Sequence, residues 1–128
     1  MEKQVKVTNL TKDDLVVFFS SATYGNDYWS VKIVKKSMPI DVFNKIYDSN
    51  DCIEEIWADV LLNGGRLCII DNKENNKYYV NMQSVLDGYS KGYEICPKTM
   101  LNFEEENDDM WDGYNLMQAI IFGEIIYG

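Results

Sequence analysis

The chain of 128 residues contains no histidine, and this absence excludes several common kinds of catalytic and metal site. Without an imidazole there is no Ser-His-Asp triad, no Cys-His dyad and no His general base. Zinc sites that need an imidazole ligand are excluded for the same reason. A large share of simple hydrolase chemistry is therefore closed to this sequence.

Cysteine is scarce as well. The three cysteines, Cys52, Cys68 and Cys96, are odd in number and form no CxxC pair. Cys52 and Cys68 have apolar neighbours, which predicts two thiols buried in the core. Cys96 precedes Pro97 in a predicted loop and has little basic sequence around it, so a reactive thiolate is disfavoured there.

Long apolar runs are also missing. The run at residues 119–122, like every other apolar run of the chain, is far too short to cross a bilayer. The first residues, MEKQVKV, lack the apolar middle region of a signal peptide. We therefore expect a cytoplasmic protein with no membrane partner.

The chain contains enough hydrophobic residues to form one core. Hydrophobic residues make up 46% and aromatic residues 13% of the sequence. A chain of this length and composition predicts one globular domain over residues 1–128.

The first half of the chain mixes strand and helix patterns. Residues 4–8 alternate as a short strand does, and residues 28–34 are rich in β-formers. Between them, Thr11 and Asp14 suit the start of an amphipathic helix. A second helix is expected over residues 53–61, with Ile53 and Trp57 on its apolar stripe and a cap at one of residues 49–51.

In the second half, residues 66–71 and 77–81 predict a hairpin, followed by a helix over residues 82–93. Residues 96–107 are expected to be irregular. Asp108 or Asp109 then caps a last helix that ends at Gly123, and residues 124–127 suit a final strand. Together these elements predict an α+β fold, a mixed or antiparallel sheet of about four to five strands with three to four helices packed on it.

Acidic residues outnumber basic ones by 21 to 12, which gives a net charge of −9. The excess is concentrated: residues 41–63 hold six acids and one base, and residues 99–128 hold seven acids and no base. In the first segment Asp51, Glu55 and Asp59 are spaced by four, so a helix would place them along one face.

Two interpretations of this charge stay open. Acidic faces can simply keep a protein soluble and monomeric. Alternatively, a ladder of carboxylates can imitate a nucleic-acid backbone and bind the basic groove of a protein that normally holds phosphates. Direct binding of DNA or RNA is disfavoured, since Lys32, Lys35 and Lys36 are too few to reverse the charge.

The carboxylates could also be catalytic if they converged on Mg²⁺ in a cleft. The sequence offers no support for a specific site of that kind. Residues 71–75 lack the pattern of an EF-hand loop, and Gly64-Gly65 follows a helix without the residues of a phosphate-binding loop. We predict no catalytic residue, no metal ligand and no cofactor.

Tyrosine and tryptophan are plentiful, with nine and three copies. Both are favoured at the centre of protein interfaces, and both also occur at the boundary of a hydrophobic core, where their polar atoms contact solvent. Several members of the set Tyr24, Tyr28, Trp29, Tyr78, Tyr89 and Tyr93 are expected near the surface.

Three stretches resemble one group of proteins. They are residues 118–128 (QAIIFGEIIYG), residues 58–65 (ADVLLNGG) and residues 18–25 (FFSSATYG). The group consists of uncharacterised small acidic proteins carried by phages and integrative elements of Firmicutes. The resemblance implies a mobile-element context, in which such proteins often oppose host defence as anti-CRISPR or antirestriction factors, and it assigns no catalytic residue.

These observations favour a non-enzymatic inhibitor that occupies the nucleic-acid channel of a basic host defence enzyme. The alternatives are a protein-protein adaptor of the mobile element and a Mg²⁺-dependent carboxylate enzyme. The oligomeric state stays open. The expected contact residues are Asp51, Glu55, Asp59, Glu104, Glu105, Glu106, Asp108 and Asp109, with Trp111 and Tyr114 as anchors.

Overall fold

Three antiparallel strands form the sheet in the computed structural model, which describes residues 4–128. They are β1 (Trp29–Val34), β2 (Arg66–Asp71) and β3 (Asn76–Val80), in the order β1-β2-β3. The register places Trp29 opposite Asp71 and Asp71 opposite Asn76. The predicted hairpin is therefore confirmed, and β1 pairs with its first strand.

Residues 4–128 also contain six helices and a short 3-10 turn at Lys35–Ser37. The helices are α1 (Lys12–Thr23), α2 (Ile40–Ser49), α3 (Ile53–Leu62), α4 (Met82–Ile95), α5 (Pro97–Glu104) and α6 (Met110–Phe122). The α+β class is thus confirmed, as is an antiparallel sheet. The predicted numbers of elements were wrong, since residues 4–128 contain three strands in place of four to five and six helices in place of three to four.

Two predicted strands do not form. Residues 4–8 are irregular, and the backbone N–H of Val7 donates to Ser90 Oγ on α4 at 2.8 Å. Residues 124–127 are irregular as well, because the fully buried Gln118 takes up their backbone groups. Gln118 Oε1 accepts from the N–H groups of Ile126 and Tyr127 at 2.9 and 2.8 Å. Those two donors are therefore not available to a strand partner.

The region predicted to be irregular contains a helix, α5. Pro97 is its first residue, a position where the fixed φ of proline suits a helix and its missing N–H removes no bond. Thr99 and Met100 form its buried face. Gly92 of α4 leaves room for Met100, since a Cβ there would lie 2.6 Å from the Met100 Sδ.

The start of α3 also differs from the prediction. Its N-cap is Cys52, which has an extended backbone and makes no side-chain capping bond. Asp51 therefore precedes the helix, and Ile53 in its first turn is 43% exposed and does not belong to the buried stripe. The prediction of a buried thiol was wrong for Cys52, which is exposed, and correct for Cys68.

The capping residues predicted from the sequence at α1 and α6 are confirmed. Thr11 and Asp14 form a capping box at α1, with the Asp14 N–H donating to Thr11 Oγ1 at 3.1 Å. Asp109 and Asp112 form another at α6, and Gly123 ends that helix with a φ of 70°. Both ends of α6 are thus confirmed.

One hydrophobic core lies between the helices and one face of the sheet. The strands contribute alternate residues to it, among them Val31, Leu67, Ile69 and Val80. Helix α1 lies between α3 and α6. Its contact with α6 is close because Gly113 packs on the backbone of Ala22.

Candidate protein-binding surface

The loop between α5 and α6 is the most acidic exposed segment. We call residues 104–109 the acidic loop; it contains Glu104, Glu105, Glu106, Asp108 and Asp109, of which all but the half-buried Asp108 are exposed. Glu106 has a φ of 56°, a left-handed conformation that is uncommon outside glycine and reverses the chain after α5. The loop thus presents several carboxylates within one tight turn.

Two hydrogen bonds attach the acidic loop to neighbouring helices. The Tyr93 hydroxyl of α4 donates to Glu104, and the Ser21 hydroxyl of α1 donates to Asp108. Burial, and then the bond to Glu104, raise the pKa of Tyr93 to about 12. These two carboxylates accept bonds from hydroxyl groups, and no carboxylate of the acidic loop forms an ion pair with a basic side chain of the described residues.

Asp112 belongs to the same acidic segment of the sequence but has a structural position. It is 7% exposed and accepts bonds from Thr99 Oγ1 at 3.1 Å and from Asn102 Nδ2 at 3.1 and 3.2 Å. Its other partner is the backbone N–H of Asp109, at 3.1 Å. Asp112 therefore connects α5 to α6 and holds the acidic loop between them.

The two predicted anchors lie next to this loop in one group of rings. We call Tyr28, Trp29, Trp111 and Tyr114 the aromatic cluster. The ring centroids of Tyr28 and Tyr114 are 4.9 Å apart, and Trp111 lies 6.2 Å from Tyr28 and 5.9 Å from Tyr114. Trp111 is 52% and Tyr28 39% exposed, whereas Tyr114 is 9% exposed. Trp111 and Tyr28 are thus the solvent-accessible rings of the aromatic cluster, and Tyr114 is buried next to them.

A cleft of about 410 Å³ opens beside the aromatic cluster. The rings of Tyr28, Trp29, Tyr114 and Tyr127 line it, together with the exposed Asp27. Lys73 lines the cleft as well and holds its Nζ 4.5 Å from the centroid of the Tyr127 ring, a cation–π contact. The cleft therefore combines aromatic rings with charges of both signs.

Asp71 belongs to the lining of this cleft and is 1% exposed. Its Oδ2 accepts from the Tyr127 hydroxyl at 2.5 Å, and its Oδ1 accepts from the Lys73 N–H at 2.9 Å. The bond from Tyr127 raises the pKa of that hydroxyl. Within the described chain, Trp29 Nε1 is the single buried side-chain nitrogen or oxygen that has no hydrogen-bond partner.

The other acidic segment lies on α3. Asp59 forms an ion pair with Lys12 Nζ at 3.0 Å and also accepts from Asn50 Nδ2 at 2.9 Å. Glu55 accepts from the Cys52 thiol at 3.1 Å, and this bond lowers the pKa of the carboxyl. Asp51 is exposed and precedes the helix, so it does not extend an i, i+4 row on α3.

The two acidic segments contact opposite sides of α1. Asp59 reaches Lys12, and Asp108 reaches Ser21 nine positions later. Nine residues correspond to about 13 Å and two and a half turns, so the two contacts face about 180° apart. The predicted contact residues therefore divide into two groups, with the acidic loop, Trp111 and Tyr114 on one side and Glu55 and Asp59 on the other.

Basic residues occupy the face of the sheet that points away from the core. The strand register places Lys32 and Cys68 opposite each other there, with Tyr79 as the next neighbour. Arg66 and Lys77 have the same parity on their strands and are exposed. No acidic residue of the three strands has this parity, so the helices carry the negative surface and the sheet carries a positive one.

Two further properties concern residues 4–128 alone. No group of three or more Cys, Asp or Glu side chains in this part of the chain has the geometry to hold a metal ion. None of the described helices has the length and apolar character needed to cross a membrane. Met1, Glu2 and Lys3, which contributed to the expectation about a signal peptide, lie outside the described residues.

The cleft residues Asp27, Asp71, Lys73 and Tyr127 did not emerge from sequence patterns. They come from the turn before β1, the hairpin and the residues after α6, so the chain gives no local signal that they meet. The one available signal was that Asp71 and Tyr127 each end a predicted strand.

Comparison of the chain with protein-family models, with curated proteins and with solved structures gives no significant match.

Proposed function

We propose that this protein is a non-enzymatic inhibitor that binds a basic, nucleic-acid-handling protein through its acidic loop. The observation that carries the proposal is the position of this loop beside the exposed rings of Trp111 and Tyr28. Carboxylates supply long-range attraction to a basic groove, and large rings supply apolar contact area once the partners meet. Charge and contact area are thus available on one surface.

The small number of ion pairs supports this proposal. In the part of the chain that the structure describes, only Asp59 and Glu94 lie within ion-pair distance of a basic side chain. Most carboxylates therefore face solvent or accept bonds from neutral donors. Unpaired surface charge contributes little to folding, and it remains available to a partner of opposite charge.

The partner we propose is a host defence enzyme whose groove holds DNA or RNA, such as an RNA-guided nuclease or a restriction endonuclease. Both proteins would meet in the cytoplasm. The motif resemblance to mobile-element proteins supports this context, and repulsion between carboxylates and phosphates favours a protein partner over nucleic acid itself. Asp51, Glu55 and Asp59 form a second acidic region that could contact a partner only from the other side of α1.

The test is inhibition of purified nucleases by variants of matched charge. The triple variant Glu104→Gln, Glu105→Gln, Glu106→Gln is compared with a control that removes three exposed acids elsewhere, Asp41→Asn, Asp48→Asn and Asp87→Asn. A panel of RNA-guided nucleases and restriction endonucleases is assayed for DNA cleavage, and affinity is measured at several salt concentrations. We expect the first variant to inhibit less and to show a weaker salt dependence, while the control resembles the parent. Equal inhibition by both variants would contradict a role for the acidic loop.

An adaptor function is the second candidate, and the exposure of Trp111 and Tyr28 favours it. In that case binding to the partner would rest on aromatic contact area. Affinity would then change little with salt, and Tyr28→Ala or Trp111→Ala would weaken binding more than the triple glutamine variant does. The same binding series therefore separates the two functions.

A further inference from the structure

The cleft beside the aromatic cluster has walls suited to a flat cation. Tyr28 and Tyr114, 4.9 Å apart between ring centroids, line it together with Trp29, and Trp111 extends the rings toward the acidic loop. The faces of aromatic rings carry partial negative charge and attract cations within about 6 Å. Several aromatic rings therefore line one cavity of about 410 Å³.

One cation of the protein itself already uses this chemistry. Lys73, which also lines the cleft, places its ammonium group 4.5 Å from the centroid of Tyr127. The rings of Tyr28 and Tyr114 have no such partner among the described residues, although they line the same cavity. The rings of Tyr28 and Tyr114 are therefore available for a cation–π contact with a ligand.

The charge of the lining favours a cation over an anion. Asp27 and Asp71 both line the cleft, against the single basic residue Lys73. Asp71 is bonded within the protein, but its carboxylate still contributes negative potential. Asp27 is exposed and free to approach a ligand. An anion such as phosphate would meet two carboxylates, and the acidic loop beyond Trp111 adds to that repulsion.

We propose that this cleft binds one arginine side chain of the partner protein, stacked against Tyr28 and held by Asp27. The inference rests on the proposed function and names the group that the partner inserts. Arginine suits the site better than lysine, because its planar guanidinium stacks on rings and bonds a carboxylate through two N–H groups. The acidic loop attracts the basic surface, and the cleft receives one residue from it.

The experiment uses the three tryptophan indole N–H signals in NMR spectra of the whole protein. Trp29 lines the cleft and Trp111 adjoins it, whereas Trp57 is buried on α3 and serves as an internal control. The probe is the blocked tripeptide acetyl-Gly-Arg-Gly-amide. Its neutral counterpart has citrulline in place of arginine, which keeps the shape and removes the charge.

We expect the arginine peptide to shift the Trp29 and Trp111 signals in a saturable way, without shifting Trp57. The citrulline peptide should shift neither. Tyr28→Leu keeps apolar area and removes the ring, and we expect it to weaken binding of the arginine peptide about two- to fivefold. Asp27→Asn should weaken it similarly. The controls Tyr24→Leu and Asp41→Asn change exposed residues outside the cleft and should leave binding unchanged.

Equal shifts with the citrulline peptide, equal shifts at Trp57, or no effect of Tyr28→Leu and Asp27→Asn would overturn the cleft proposal. A lysine peptide that binds as tightly as the arginine peptide would overturn the preference for a guanidinium. These measurements involve no nuclease, so they are independent of the inhibition assay. If the arginine peptide binds while no nuclease is inhibited, the cleft proposal stands and the proposed function fails. If nucleases are inhibited but the peptide does not bind, the proposed function stands and the cleft proposal fails.

Discussion

The Tyr127 hydroxyl donates a hydrogen bond to Asp71 Oδ2 at 2.5 Å, across 56 positions of the sequence. This bond joins the residues after α6 to the last residue of β2. Asp71 also accepts from the Lys73 N–H and so shapes the turn of the hairpin. One buried carboxylate therefore holds two parts of the cleft in place.

We expect Asp71→Ala to lower the free energy of unfolding by about 2–3 kcal/mol, because it removes from a buried site the acceptor of the Tyr127 hydroxyl and of the N–H groups of Lys73 and Glu74. Asp71→Asn should lose less, since its carbonyl oxygen can still accept from the turn. Urea unfolding followed by tryptophan fluorescence measures the change. Glu74→Gln, at an exposed position in the same turn, is the control, and an equal loss in both variants would contradict this role of Asp71.

Gly113→Ala should be strongly destabilising. A Cβ at this position would lie 2.4 Å from the backbone nitrogen of Ala22, so α1 and α6 would have to move apart. We expect a loss of about 2–3 kcal/mol or more in the free energy of unfolding. Gly128→Ala, where a Cβ would have nothing within 4 Å, is the matched control. A thermal or urea midpoint of Gly113→Ala equal to that of the control would refute the close contact.

Asp112→Ala should destabilise the connection between α5 and α6. The variant leaves Thr99 and Asn102 without their buried acceptor, and we expect a loss of about 3 kcal/mol. Amide hydrogen exchange of the acidic loop should become faster at the same time. Glu105→Gln, in the exposed part of the loop, should change neither quantity, and protection that persists in Asp112→Ala would show that other contacts hold the loop.

Stability should decrease at alkaline pH. Tyr93 has its pKa raised from the ordinary value of 10 to about 12 by burial and by the bond to Glu104. The folded state therefore favours the neutral phenol, and this contribution is complete below pH 10 and is lost as the pH rises from 10 to 12. Measurements of the unfolding free energy across this range should give a smaller decline for Tyr93→Phe. A decline identical to that of the parent would exclude Tyr93 as the cause.

The structure brings some of the predicted contact residues together and separates others. Trp111 and Tyr114 were named from the sequence, and both lie beside the acidic loop, but only Trp111 is exposed. The spacing of Asp51, Glu55 and Asp59 predicted one acidic row, and the structure divides it because Asp51 precedes α3 and Asp59 pairs with Lys12. A spacing of four places residues on one face only if all of them belong to the helix, and Asp51 does not. The spacing also gives no information about a cation from another helix, such as Lys12.

Interactions between residues close in sequence determine the helix ends and the hairpin. The capping pair Thr11 and Asp14, the hairpin of β2 and β3, and the left-handed stop at Gly123 all depend on groups a few positions apart. Such interactions are encoded in short stretches of the chain, so composition and spacing were sufficient to predict them.

Tertiary contacts decided the rest. The residues 124–127 have the composition of a strand, yet the buried side chain of Gln118 binds their N–H groups and Asp71 binds Tyr127. The cleft likewise forms from residues far apart in the chain. The amino-acid sequence alone established the acidic charge, the capped helix ends and the hairpin. The pairing of other backbone groups and the meeting of distant side chains depend on which surfaces pack together, and only the folded structure determines that.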